Sequence, residues 1–160
     1  MNANDILMYG HRWVHKHLDG LSEDQCLVTG VCGVWSVKDI IAHLASFEWV
    51  LVDVLNSCVS AGPTIKLDQY TRVDGDTFNA QEVGKRKDLS FSAVVEDYNT
   101  GYAKVMEILP KLSQEDLTNP GSLPWYGMEY SLDDFIVYQY YGHKREHCAQ
   151  IAVYRDSLGM

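Results

Sequence analysis

Apolar residues along this chain recur every three or four positions in four long stretches, the period of helices with one buried face. The first stretch covers about residues 3–18, with Ile6, Leu7, Gly10, Trp13, Val14, His17 and Leu18 on one stripe, and Gly20 closes it. The second opens at "WSVKD", where Ser36 is a natural N-cap and Asp39 at N3 makes a capping-box-like pair. It runs through "IIAHLASFEWVLVDVLNSCVS" to a stop at Gly62-Pro63. Residues 63–89 read as irregular and polar, with a short helix around "NAQEVGKR". The third long helix starts near Ser90 and carries Phe91, Val94, Val95, Tyr98, Tyr102, Val105, Ile108 and Leu109 at helical spacing. After the loop "TNPGSLPWYGMEY", Ser131 caps a fourth helix with Asp134 three residues on, and that helix continues almost to the end. No segment alternates with period two for long enough to be a strand. There is no internal repeat, low-complexity tract or linker. The prediction is a single all-α domain over residues 1–160, most simply a four-helix bundle, with Gly62–Leu89 as a long connection between helices two and three.

Histidines interrupt two of the apolar stripes. In the fourth helix Ile136, Tyr140, His143, His147, Ile151 and Tyr154 follow one another at steps of four, three, four, four and three, the spacing of a core-facing stripe. In the second helix His43 lies on the stripe of Ile40, Phe47, Leu51 and Val54. Three imidazoles therefore point toward the interior from two helices. A single histidine on such a stripe is ordinarily a satisfied core residue. Three are harder to satisfy with hydrogen bonds alone, and one metal ion resolves all of them, since imidazole suits zinc and nickel and bundle cores host such sites. His11 and His15, in "HRWVH", have the same four-residue spacing but fall off the Ile6–Trp13–His17 stripe, alongside Asn4 and Met8. They are expected to be solvated or rim residues, not ligands.

Composition narrows the partners. The formal charge is −9 with no compensating basic run, which disfavours nucleic-acid binding. The N-terminus, MNANDILMYGHRW, lacks a positive region followed by an apolar run, so no signal peptide is expected. The apolar stretch around residues 40–59 carries His43, Glu48 and Asp53 and reads as a buried helix, so no membrane is expected either. Cys26, Cys32, Cys58 and Cys148 show no CxxC pairing or disulfide ladder, which fits a cytoplasmic protein.

The segment "WSVKDIIAHLASFEW", followed about a hundred residues later by "GHKREHCAQI", resembles the DinB-like superfamily of metal-binding four-helix bundles. "FNAQEVGKRKDLSFSAVVEDY" is similar to members as well, so the resemblance covers nearly the whole chain. It implies that His43, His143 and His147 bind a divalent metal, zinc or nickel, with no departure at the ligand positions. It also implies a homodimer paired through bundle helices. Relatives include bacillithiol S-transferases, a mycothiol-dependent maleylpyruvate isomerase and a toxin self-protection protein that opens a cyclopropane, and many have no known reaction.

Three protein ligands leave a coordination position free, the pattern of catalytic zinc. The ion could lower the pKa of a water or hold a low-molecular-weight thiol as nucleophile against a small electrophilic substrate. That predicts an enzyme of thiol S-transfer, isomerisation or hydrolysis. The alternative is a non-catalytic metal- or small-molecule-binding bundle whose ion holds helices two and four together. Asp39, one turn before His43, and Gln150, three residues after His147, are candidates to orient the ligand rings, although Asp39 serves equally as a simple cap and Gln150 as core-edge filling. Cys148 lies about 100° around the helix from His147 and reads as a small buried thiol. Trp125 and Tyr126 could wall a pocket mouth or mark a dimer contact.

Overall fold

Side-chain caps set where the long helices begin. A computed structural model describes residues 2–59 and 62–160. Asn2 accepts a hydrogen bond from the Asp5 N–H and opens α1 (Ala3–Leu18). A short α2 (Glu23–Cys26), started by a Ser22–Gln25 capping box, was not foreseen. Ser36 and Asp39 form the predicted reciprocal box and launch α3 (Val37–Cys58). The expected run of this helix to Gly62 crosses residues 60 and 61, which lie outside the described residues; α3 itself closes at Cys58 with Val59 as C-cap.

The connection that follows contains the expected short helix and, where an irregular stretch was expected, a second one. It holds α4 (Ile65–Arg72) and α5 (Gly75–Lys85). The cap of α4 comes from a distance: Asp53 in α3 accepts from the N–H groups of Lys66 and Leu67 at 2.6 and 3.1 Å, while Thr64 makes no side-chain cap bond. For α5, Asp74 accepts from the Thr77 N–H, so the helix starts four residues before "NAQEVGKR". Buried Glu82 then receives Lys66, Lys85 and Arg86, and Arg86 reaches on to Asp97. That network fastens the connection across the next long helix.

Ser90 caps α6 (Phe91–Ile108) as predicted. A 3-10 turn (Leu109–Lys111) and α7 (Gln114–Thr118) precede the aromatic loop. The last helix is continuous but not uniform. It consists of α8 (Leu132–Ile136), a π-helical segment (Val137–Gly142) and α9 (His143–Ser157). No strand occurs among the described residues; a lone bridge joins Cys32 and Trp35. The all-α class holds.

The long helices pack so that α3 lies along α6 and α1 along α9, whereas α3 and α9 approach one another over a short stretch only. α3 feeds two apolar clusters. Phe47, Leu51 and Leu55 meet Leu7, Phe78, Val105, Phe135 and Tyr140 in one; Ile40, Ile41 and Leu44 meet Val14, Val94, Tyr98 and Ile151 in the other. By length and composition α3 could cross a membrane, but 78% of that window is buried inside the protein, which marks a core helix.

Candidate metal centre

His43 lies two turns into α3, His143 opens α9, and His147 follows one turn on. The Ser36–Asp39 box sets the register of the first, and the π-helical segment delivers the other two. Their Nε2 atoms converge: His143 Nε2 stands 2.7 Å from His43 Nε2 and 2.9 Å from His147 Nε2. One ligand atom from each lies within 4.8 Å of the others. Zinc–imidazole bonds of about 2.0–2.1 Å in a tetrahedron set nitrogens about 3.3 Å apart, so a small opening of the triangle accommodates an ion. The group can hold a divalent metal.

The environment keeps these rings in the ligating, neutral form. His43 and His147 are buried, and His143 is half-buried. Burial, aided by His143 and His147, lowers the His43 pKa to about 2. His143 is brought to about 3 by burial, then by His147 and Lys144, with a hydrogen bond to the Gln139 backbone pulling the other way. Burial also lowers His147, opposed by Gln150 and Glu146. Neutral imidazoles at neutral pH are what a metal requires.

Each ring's outward nitrogen has a different fate. His147 Nδ1 is 2.8 Å from Gln150 Oε1, which fixes the tautomer that presents Nε2 to the centre. His43 Nδ1 is buried without a hydrogen-bond partner. Asp39, the other residue proposed to orient a ring, does not reach it. Its Oδ2 accepts from both the Ser36 N–H, at 2.9 Å, and the Ser36 hydroxyl, at 2.7 Å. The cap claims the carboxylate.

Aromatic rings wall the site. Trp35 lies 4.9 Å from His43 and 6.4 Å from His147, and Phe47 meets His43 and His143 edge-on at 4.9 and 4.7 Å. Phe47 stood on the predicted stripe, but Trp35 was missed as a wall; its place immediately before the cap was the available signal. Trp125 and Tyr126 do flank a cleft of about 310 Å³ with Tyr70, Thr71, Val73 and Gly75. Tyr70 in turn meets Phe47, so two touching rings connect the cleft to the histidines.

His11 and His15 stay away from the centre, at the partly buried positions expected of rim residues. His11 stacks on Tyr102, centroids 3.7 Å apart, and burial with nearby His15 and Lys144 lowers its pKa to about 3. His15 Nε2 pairs with Asn99 Oδ1 at 2.8 Å. α1 thus uses a second face against α6. Cys148 is fully buried, and burial raises its thiol to about 12, an inert core residue.

The sequence model described as the DinB superfamily matches residues 11–151, most of the chain. No curated protein and no solved structure matches it.

Proposed function

The chain belongs to the DinB superfamily, and on that premise we propose that it is a metal-dependent enzyme acting on a small electrophilic compound at a three-histidine site in a four-helix bundle. The observation that carries this reading is the convergence of three Nε2 atoms, two from buried rings and one from the half-buried His143. A divalent ion held there, zinc or nickel by donor chemistry, supplies a Lewis acid with a coordination position left for a thiol, water or substrate atom. His43, His143 and His147 hold it, Gln150 orients His147, and Trp35 and Phe47 exclude bulk water from the histidine side. The reactions this site would serve are thiol S-transfer, isomerisation or hydrolysis. The same proposal includes a homodimer formed through bundle helices, which monomeric sedimentation at micromolar concentration would sink.

A second reading has its own support. His43 and His147 are 3% and 5% exposed, as suits an ion that only ties helices together. Metal content and turnover separate the two. The purified protein should take up about one zinc or nickel per chain, and lose that uptake in His43→Ala, His143→Ala or His147→Ala but not in His11→Ala. The metal-loaded protein should then accelerate conjugation of a small thiol to a chromogenic electrophile, with the rate abolished by chelator and by His143→Ala. Full metal uptake without turnover of any thiol or hydrolysable substrate, and with a lower melting temperature on chelation, would establish the binding protein instead.

A further inference from the structure

Directly beside the histidine centre lies a second buried polar cluster with no part in ligation. Glu48 on α3 is fully buried, and Lys144 on α9 is 2% exposed. The Lys144 ammonium contacts Glu48 Oε1. Glu48 stands five residues after His43, and Lys144 immediately follows His143. The pair therefore bridges the same two helices as the imidazoles, within about a turn and a half of them. These are the helices that share little direct packing.

The rest of the fold makes room for this pair. A Cβ on Gly101 of α6 would lie 2.7 Å from Glu48 Cβ, and one on Gly10 of α1 would lie 3.3 Å from Lys144 Cδ. Tyr98 places its ring 5.6 Å from the Lys144 ammonium. The hydroxyls of Tyr98 and Tyr140 and the second carboxylate oxygen of Glu48 are buried without hydrogen-bond partners. Parts of all four long helical segments thus converge on two charges. Such an arrangement is a poor source of stability, because desolvating two ions offsets most of their attraction and an apolar pair of equal volume is commonly as stable. What a buried ion pair can supply is register: only one sliding and rotational setting of α9 against α3 brings the two charges together. Lys144 is the second residue after a π-helical segment, where the helix has departed from its regular turn and the rotation of the next residues most needs an anchor.

We propose that Glu48 and Lys144 are positioning residues for the metal centre, holding the first turn of α9 against α3 so that His143 and His147 meet His43 before metal arrives. The inference rests on the three-histidine reading. It is tested with Glu48→Gln/Lys144→Met, which removes both charges and nearly preserves shape. Zinc affinity is measured by competition with a chromophoric chelator, the site geometry by the visible spectrum of the cobalt-loaded protein, and the fold by thermal unfolding of the metal-free protein. The double variant should unfold at the wild-type temperature or above, yet bind zinc about tenfold or more weakly, the range for residues that orient ligands, with an altered cobalt spectrum. Wild-type affinity and spectrum in the folded variant would overturn the proposal and leave the pair a structural feature. Failure of the wild-type protein to bind zinc would overturn the histidine reading instead. If the double variant does not fold, Gly10→Ala, which presses one methyl on the Lys144 stem while favouring the helix, is decisive: weaker zinc binding and a shifted spectrum support the proposal, and wild-type values overturn it.

Discussion

Gln150 and Asp39 sit at equivalent helical spacings from a ligand, and only one of them reaches it. Gln150 Oε1 holds His147 Nδ1, so Gln150→Leu should leave the fold intact and weaken metal binding about tenfold, toward the lower end of such effects. Wild-type affinity in a chelator titration would show that the hydrogen bond does not orient the ring. Asp39→Ala should do the reverse, costing about 1 kcal/mol of stability through the lost half of the capping box and leaving affinity unchanged. Helical spacing told which residues share a face and therefore brought out all three histidines. It could not tell which acceptor a carboxylate chooses, and for Asp39 the nearby Ser36 N–H outcompetes an imidazole one turn on. Nor could it find Lys144, whose charge argued for solvent until a buried glutamate appeared across the helix gap.

Helix boundaries set by local caps were readable, as at Ser36, Ser90 and Ser131, because the donor and acceptor lie three residues apart. α4 was not readable, since its cap is Asp53, thirteen residues earlier and on another helix. The π-helical segment leaves no local signal either, although it decides where the last helix turns its two ligands. Element packing also decides between two helical glycines, leaving the ordinary propensity rule in force at Gly84 and reversing it at Gly101. Gly84 in α5 has nothing within 4 Å of an added Cβ, so Gly84→Ala should stabilise the protein by about 0.5–1 kcal/mol through helix propensity. Gly101 in α6 would drive its Cβ to 2.7 Å from Glu48 Cβ, so Gly101→Ala should destabilise by about 1–3 kcal/mol despite the same propensity gain. Urea unfolding of the two variants checks both signs. A Gly101→Ala protein more stable than wild type would mean that α3 and α6 are not so closely held.

At the scale of the whole molecule, the all-helical class follows from the sustained three-to-four-residue period, and the same burial that makes a metal site makes an acid-sensitive one. His43 and His143 are held near pKa 2 and 3, His11 near 3, and His147 below its usual value, all chiefly by burial. In the unfolded chain each returns to about 6.5. Between those values the unfolded state binds more protons than the folded one, so stability present above pH 6.5 is lost as pH falls toward 3. His43 and His143 can each add up to about 1.4 kcal/mol per pH unit to that slope. The carboxylates held low by their partners, Glu82 among them, lose their contribution only below pH 4.5 and leave the window from 7 to 5 to the histidines. Chelator-treated protein should therefore melt progressively lower from pH 7 to pH 5. His11→Gln should flatten the curve, since it removes one buried imidazole that takes no part in the centre. The folded rings remain neutral throughout this range, so zinc affinity of the folded protein should change little between the same two pH values. A melting temperature constant from pH 7 to 5 would mean that these imidazoles are hydrated enough to accept protons in the folded state. An affinity that collapses over that interval would mean the same, and the buried centre would then have to be drawn open to solvent.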